Sequence, residues 1–198
     1  MNAEFQLLQN GIEKISPISA SGMEAMLGLF SPLALAEGEC LIRMGESAKY
    51  VGFLTRGIMR EFFLTDKGKE FNKSFVLPGM FTGSLYDLLS AQASTASVQA
   101  LSPVGLLIAP YQRCVELFER DISLERLGRK FAEQLFVQKA RREYELICLS
   151  ATQRYQVLLQ AHPDIESLIS QYHIASYLGI TPVSLSRIRR QRQALIIG

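Results

Sequence analysis

The sequence of this 198-residue chain predicts an α+β protein in which a β-rich block stands between two helical parts. Between residues 34 and 109, turn-forming Gly, Pro and Asp residues separate short runs that are rich in Val, Phe, Tyr and Ile. Short strands at such regular spacing are typical of a small β sandwich or barrel. From residue 122 to 149, apolar residues recur every three or four positions, which predicts one long helix.

Local signals place the elements within the first two thirds of this arrangement. Residues 4–30 are expected to form short helical pieces, and Ser21 with Glu24 resembles a capping box at the start of the second piece. Inside the β block, the Asp-Lys-Gly sequence at 66–68 predicts the tip of a hairpin. Residues 85–89 predict a single helical turn between two strands.

The helical part behind the β block begins with a short predicted helix at 111–119, followed by the long one. The long pattern spans about seven turns, whereas a mean helix has about three. It therefore suits either a spine packed on its own domain or a seam between two copies of the chain. Further helices are expected at 152–161, 166–177 and 182–191.

Composition excludes several classes of protein. Hydrophobic residues make up 48% and charged residues 20%, which is ordinary for a globular chain. The uncharged stretch 88–112 is long enough to cross a membrane, but Ser and Gln residues interrupt it, so we expect a soluble protein. Three scattered cysteines without metal-site spacing, and no secretory segment, indicate reduced thiols in a cytoplasm.

Positive charge is concentrated at the C-terminal end. From residue 167 to 198 the chain has no Asp or Glu, while four arginines fall there, Arg187, Arg189, Arg190 and Arg192. A locally cationic end on a chain of formal net charge +2 suggests a polyanionic partner. A solvated basic tail is the alternative explanation for the same run of charge.

The stretch IASYLGITPVSLSRIRRQ, residues 174–191, predicts two helices joined by a tight turn. Gly179 closes the first, because glycine adopts a left-handed φ without steric cost, and Thr181 can cap the second ahead of Pro182. The predicted inward positions are Leu185 and Ile188, and the outward ones are Ser184, Arg187 and Arg190. Such a helix suits the major groove, where an Arg fork reads guanine; an ordinary helical corner remains the alternative.

This stretch resembles the helix-turn-helix of the Crp/Fnr family of bacterial transcription regulators. Upstream, GECLIRMGESAKYVGFLTRGIMREFF resembles the first strands of the family's cyclic-nucleotide-binding β-roll, a jelly-roll-like double-stranded β-helix. The long helix falls where the family has its dimerisation helix. The resemblance covers nearly the whole chain and implies a sensor domain at 1–120, a dimerisation helix at 121–149 and a helix-turn-helix domain at 150–198. ALIIG at the end is too short for the family's β-hairpin wing, so a truncated wing is expected.

The resemblance implies a cytoplasmic homodimer, joined through the long helix, that binds a pseudo-palindromic site on double-stranded DNA. RNA polymerase is a further candidate partner, and no membrane partner is expected. Val183 stands where the family typically offers a Glu to cytosine, so the operator should differ from those of the best-known members. The residues implied as DNA contacts are Thr181, Pro182, Val183, Ser184, Ser186, Arg187, Arg189 and Arg190.

Residues 78–101 resemble the family's phosphate-binding cassette, but both of its charged ligand-holders are replaced. Ser84 stands for the Glu that holds the ribose, and Ser94 for the Arg that binds the cyclic phosphate. A buried phosphate without a cationic partner is strongly unfavourable, so the expected pocket is vestigial or repurposed, or no effector binds at all. Lys139, on the long helix, is the one candidate for returning positive charge. The implied pocket residues are Gly83, Ser84, Leu85, Ser94, Thr95, Ala96 and Lys139.

Other sensor chemistry and catalysis find no support in the sequence. An iron–sulfur cluster needs four cysteines and the chain has three, while His162 and His173 lie in the helical end and are expected at surface or capping positions. No metal is therefore expected, and a cyclic nucleotide is the one cofactor that is left open. No catalytic triad, P-loop or HExxH motif is present, and Asp87 is expected to be a surface or helix-local acid. The alternative to a DNA-binding regulator is a signalling or interaction module that does not read DNA.

Overall fold

The protein is described by a computed structural model that covers residues 2–90 and 92–197, with side chains as far as residue 192. The elements follow the predicted order: two helices, a β block, the long helix and the C-terminal helices. The strands are β1 Ser31–Leu35, β2 Cys40–Ile42, β3 Tyr50–Arg56, β4 Met59–Leu64, β5 Glu70–Val76, β6 Phe81–Thr82, β7 Ser97–Ala100 and β8 Val104–Pro110. The helices are α1 Ala3–Ile15, α2 Ala20–Leu27, α3 Leu85–Ser90, α4 Tyr111–Phe118, α5 Ile122–Cys148, α6 Ala151–Ala161, α7 Ile165–Leu168, α8 Gln171–Leu178 and α9 Pro182–Ile197.

The strands form two four-stranded antiparallel sheets, in the orders β1-β8-β3-β6 and β2-β7-β4-β5. Side chains from both sheets meet in one core, for example Leu54 and Leu106 from the first and Met59 and Val98 from the second. The predicted β block, the hairpin at 66–68 and the long helix are confirmed, and with them the α+β roll fold. In this order β5 is an edge strand, so one side of its backbone has no partner strand.

Two further cores hold the helices in place. The first packs α1, α2, α4 and the start of α5 on the first sheet, around Leu8, Ile12, Phe53 and Leu124. The second joins α6 to α9 with one residue of β5, Phe75. The C-terminal helices therefore share a hydrophobic core with the edge of the second sheet.

The N-cap of helix α2 lies two residues earlier than predicted. Ser19, rather than Ser21, is the N-cap, and its Oγ accepts a hydrogen bond of 2.9 Å from the backbone N–H of Gly22. The Ser19 hydroxyl also donates to the Asp121 carboxylate, which in turn caps α5. The contact with Asp121, 102 positions away, is thus what makes Ser19 rather than Ser21 the cap of α2.

The C-terminal helices differ from the expected pattern at two places. The helix predicted at 166–177 is divided into α7 and α8, because Ile169 is extended and buried and Ser170 caps α8. Helix α9 continues to Ile197 instead of ending near 191, so the segment expected as a truncated wing is helical as far as it is described. Among the described residues, no helix is long and apolar enough to cross a membrane.

Gly57, in the turn between β3 and β4, tests how tightly the two sheets are joined. Its φ is +82°, and an added Cβ would lie 2.5 Å from the Pro103 carbonyl oxygen. We expect Gly57→Ala to lower the free energy of unfolding by about 2–4 kcal/mol, from left-handed backbone strain and overpacking together. Gly68→Ala is the matched control, because the φ of Gly68 is also positive, at +74°, but no described atom lies within 4 Å of an added Cβ. Only the backbone strain remains, so the free energy of unfolding should fall by about 1 kcal/mol. Urea denaturation measures the free energy of unfolding of both variants. Equal decreases in Gly57→Ala and Gly68→Ala would contradict the contribution of steric overlap at Gly57.

Candidate functional site

The helix pair α8–α9 is closed by local interactions that the sequence predicts. Gly179 adopts φ +71°, and the backbone N–H groups of Gly179 and Ile180 donate back to the end of α8 at 3.1 and 3.0 Å. Thr181 Oγ1 then accepts from the N–H of Ser184 at 3.2 Å and caps α9, whose first residue is Pro182. The two helices are therefore joined by a tight turn, and Thr181, Pro182 and Val183 at the start of α9 are exposed.

Helix α9 separates an apolar face from a polar one. Leu185 is fully buried and Ile188 packs against the same core. Val183 is 62% exposed, and Arg187 and Arg190 are exposed as well. The remaining predicted contact residues divide into exposed positions, Thr181 and Pro182, and half-buried ones, Ser184 and Ser186.

Arg189 is half-buried and already has a partner. Its Nε lies 2.8 Å from Glu166 Oε1, and the Tyr155 hydroxyl donates to the same oxygen at 2.7 Å. Burial and the contact with Glu166 raise the pKa of Tyr155 to about 12. This arginine therefore joins α9 to α6 and α7, a different position from the exposed Arg187 and Arg190.

The cassette region places a buried acid near the predicted phosphate position. Ser94 Oγ donates to Asp87 Oδ2 at 2.6 Å and also lies 2.8 Å from the Ala96 carbonyl oxygen. Asp87 lies in the first turn of α3 and is 1% exposed, so of the two expected positions the helix-local one is confirmed and the surface one is wrong. Its Oδ1 atom, like Ser90 Oγ, has no hydrogen-bond partner in the part of the chain that is described. An acidic group at this place would oppose the negative charge of a phosphate instead of stabilising it.

The predicted pocket residues are not gathered in one cavity. Gly83, at φ +107°, and the buried Ser84 line a cavity of about 370 Å³ together with Glu46 and Lys49. Leu85 lines a separate apolar cavity of about 330 Å³ between α3, α4 and α5. Neither cavity, as far as it is described, is lined by Ser94, Thr95, Ala96 or Lys139. Thr95 is exposed, whereas Ser94 and Ala96 are buried.

Lys139 belongs to a charged cluster between the second sheet and the long helix. Lys73 on β5 forms an ion pair with Glu61 on β4, and both side chains are largely buried. Lys139 is exposed as a whole residue, but its amino group faces this pair. Partial burial and the positive charge of Lys73 lower the pKa of Lys139 to about 8, although the negative charge of Glu61 acts in the opposite direction. Glu61 and Lys73 were not singled out by the sequence, because alternation along a strand does not distinguish an ion pair from a solvated face.

A second unforeseen group joins β4 and β5 to α8. Arg60, which is 5% exposed, donates to Glu70 and Asn72 on β5 and lies 3.3 Å from His173 Nδ1 on α8. His173 was expected at a surface or capping position and is instead half-buried in this contact. His162, by contrast, does cap the end of α6. No local sequence signal indicates contacts across more than a hundred residues.

Comparison with known proteins agrees with this architecture. Residues 32–121 match the sequence profile of the cyclic nucleotide-binding domain. Among solved structures, FixK2 from Bradyrhizobium japonicum is similar with a TM-score of 0.74 at 20% identity, covering 84% of this chain and 85% of that one. The regulator CLP from Xanthomonas campestris has a TM-score of 0.68 at 17% identity, covering 89% and 92%.

The catabolite activator protein from Thermus thermophilus is similar as well, with a TM-score of 0.58 at 18% identity, covering 89% of this chain and 84% of that one. No curated protein sequence matches this chain significantly. At these identities the structural likeness shows a shared fold. Residues 32–121 thus match the cyclic nucleotide-binding domain by sequence, in a chain whose fold is similar to those of FixK2 and the catabolite activator protein.

Proposed function

We propose that this chain is a DNA-binding transcription regulator of the Crp/Fnr type that acts as a homodimer on a pseudo-palindromic site. The observation that carries the proposal is the exposed, cationic start of α9, presented by a tight turn and free of acidic neighbours in sequence. An exposed helix start with Arg, Ser and Thr side chains suits the major groove of DNA. Two such helices, about 34 Å apart in a dimer, would meet successive turns of the duplex.

The arginines of α9 have different roles in this proposal. Within the described part of the chain, neither Arg187 nor Arg190 forms an ion pair, so both are available to DNA. Arg187 lies within the first two turns of α9 and is assigned to a base edge, while Arg190, one turn further, is assigned to a phosphate. Arg189 is held by Glu166 and is assigned to the integrity of the helix bundle.

The other candidate contacts lie where the backbone approaches DNA. Thr181 and Pro182 are exposed at the N-terminus of α9, where free N–H groups and the helix dipole favour a phosphate. Val183 offers an apolar surface, which suits a thymine methyl group better than cytosine N4. Ser184 and Ser186 are half-buried and provide hydroxyls at the edge of the contact.

We propose that cyclic AMP does not control this regulator. Ser84 and Ser94 replace the charged ligand-holders, and Asp87 adds a buried acid that hydrogen-bonds to Ser94. The Lys139 amino group faces the Glu61 carboxylate beside Lys73, and Lys139 lines neither of the two cavities, as far as these are described. A cyclic phosphate entering the cassette would therefore lose hydration without gaining a cationic partner.

Dimerisation through α5 is supported by an apolar face that this chain leaves uncovered. Phe136 and Ile147 are 72% and 75% exposed, and Val137 and Tyr144 are also exposed. At about 3.6 residues per turn, these four side chains fall within about 100° of one another around the helix. An apolar arc of this width over three turns is typical of a helix that packs against a second one.

Substitution of Arg187 tests the DNA assignment. A selection of bound sequences from random duplexes first supplies the preferred site, and the same selection with added cyclic AMP should return the same site. We expect Arg187→Ala to weaken binding to that site by about 1–3 kcal/mol, because one guanidinium contact with a base is lost. Fluorescence anisotropy at fixed salt measures the difference.

Arg120→Ala is the matched control, since Arg120 is an exposed arginine at the end of α4, on the sensor part of the chain. It removes the same charge and should leave the affinity within a factor of about two. If the unsubstituted protein binds no duplex even at low salt, the interaction module that does not read DNA becomes the better reading. A cyclic AMP-dependent site would contradict the proposal about the cassette.

The dimer is tested by placing a charge on the uncovered face of α5. Phe136→Glu should shift the protein from dimer to monomer at micromolar concentration, because two like charges would be buried at the seam. Gln138→Glu adds the same charge at an exposed position on the other side of the helix and should leave the dimer intact. Sedimentation velocity distinguishes the two, and a monomeric unsubstituted protein would contradict this assignment.

A further inference from the structure

Helix α8 closes the open edge of the second sheet. The Ser176 hydroxyl accepts a hydrogen bond of 3.0 Å from the backbone N–H of Asn72 and donates one of 3.1 Å to the carbonyl of Glu70. A single side chain thus satisfies two backbone groups of β5 that would otherwise face solvent. Helix α8 is therefore bound to β5 through backbone groups that would otherwise bond to a neighbouring strand.

A polar network reinforces this contact. Asn72 Nδ2 donates to the His173 carbonyl at 2.9 Å, and Arg60 Nη1 lies 3.3 Å from His173 Nδ1. Arg60 is fixed in turn by Glu70, at 2.6 Å, and by the side-chain oxygen of Gln99, at 2.7 and 2.9 Å. Because Arg60 is almost fully buried, its geometry depends on all of these partners remaining in place.

Apolar and cationic contacts extend the same interface. The Phe75 ring on β5 packs on the Tyr177 ring, with centroids 5.3 Å apart. The Arg142 guanidinium of α5 lies 3.8 Å from the Tyr177 ring centroid and donates to the Tyr177 carbonyl. Helix α8 is therefore held by both β5 and the long helix, while the face of α9 that carries Arg187 stays exposed.

We propose that His173, Ser176, Arg60 and Asn72 form a latch, which holds the helix pair in the orientation used for DNA and which opens when His173 is protonated. The latch rests on the proposed function, since it acts on the affinity for DNA. It aids binding because α8 loses its freedom of movement before the duplex arrives, and the entropy cost of binding is correspondingly smaller. A latched pair with an exposed reading face is preorganised for two half-sites at a fixed separation.

The charge state of His173 decides whether the latch closes. The charged groups that face the imidazole are Arg60 from β4 and Glu70 from β5, and the Tyr172 ring lies beside it at 5.3 Å. Burial and Arg60 lower the pKa of His173 below the ordinary value, and Glu70 opposes this only in part. The neutral form is therefore favoured in the closed latch. Docking has its full strength above the ordinary pKa of about 6.5 and weakens as pH falls through the lowered pKa of the docked state.

Imidazole NMR tests the latch without DNA, because the chain has only two histidines and His162→Gln assigns the remaining signal. The His173 signal should titrate below the ordinary range in the unsubstituted protein. In Ser176→Gln it should return towards that range, because the longer uncharged side chain cannot fit 3.0 Å from the Asn72 N–H. An ordinary titration in the unsubstituted protein, or one that Ser176→Gln leaves unchanged, would overturn the latch.

Affinity for the selected DNA site provides the functional arm. When the pH is lowered from about 7.5 to about 5.5, the affinity of the unsubstituted protein should fall by a factor at least about five times larger than that of His173→Gln. Fivefold is the lower end of the typical coupling between two sites. His162→Gln, the matched control, should behave like the unsubstituted protein. Ser176→Gln should bind weaker than the unsubstituted protein at pH 7.5, and equal or tighter binding would overturn preorganisation. If no duplex is bound by any of these proteins, the proposed function fails, and the NMR titration still decides whether the latch exists.

Discussion

The arrangement of this protein depends on the edge of β5, where the second sheet ends without a further strand among the described residues. A sheet edge presents unpaired N–H and C=O groups, which must be covered or left open to another chain. Here a helix covers it, and Ser176 replaces the hydrogen bonds of a missing strand. Because the covering helix is the first of the α8–α9 pair, the contacts that close the edge of the second sheet also fix the position of α8. Phe75, whose ring belongs to β5 but packs in the core of the C-terminal helices, makes the same connection through apolar contact.

Buried charges connect separate elements of this fold. Asp87 in α3 and both Arg60 and Glu61 in β4 are buried. A buried charge is tolerated only with partners, and in two of these three cases the partners come from the sheet and from other elements. Glu61 pairs with Lys73 and faces Lys139 of α5, and Arg60 reaches His173 of α8. Glu61 and Arg60 therefore connect the second sheet to the long helix and to the helix pair.

The elements that the sequence predicts well are those that local interactions determine. Gly179, Thr181 and Pro182 define the turn of the helix pair within a few residues, and the turn at 66–68 defines its hairpin in the same way. Two of the failures depend on distant residues. Ser19 caps α2 because Asp121 receives its hydroxyl, and His173 is half-buried against Arg60, 113 positions away. The exposed start of α9 could be read from the spacing of its residues, whereas Arg60, Asn72 and Ser176 carry no local signal of the contact that they make.

Positive charge in the C-terminal part illustrates why composition alone is an incomplete guide to function. The acid-free run from residue 167 suggests that all of its arginines are available to a polyanion, but Arg189 is paired with Glu166, one residue before that run begins. Arg142 and Arg154 lie outside the run and are bound to backbone carbonyls at the end of α8. Guanidinium groups therefore serve two purposes here, since some hold the helix pair in place and others remain free on its surface. What distinguishes them is the partner that the fold supplies, and the described residues supply no ion-pair partner to Arg187, which is exposed.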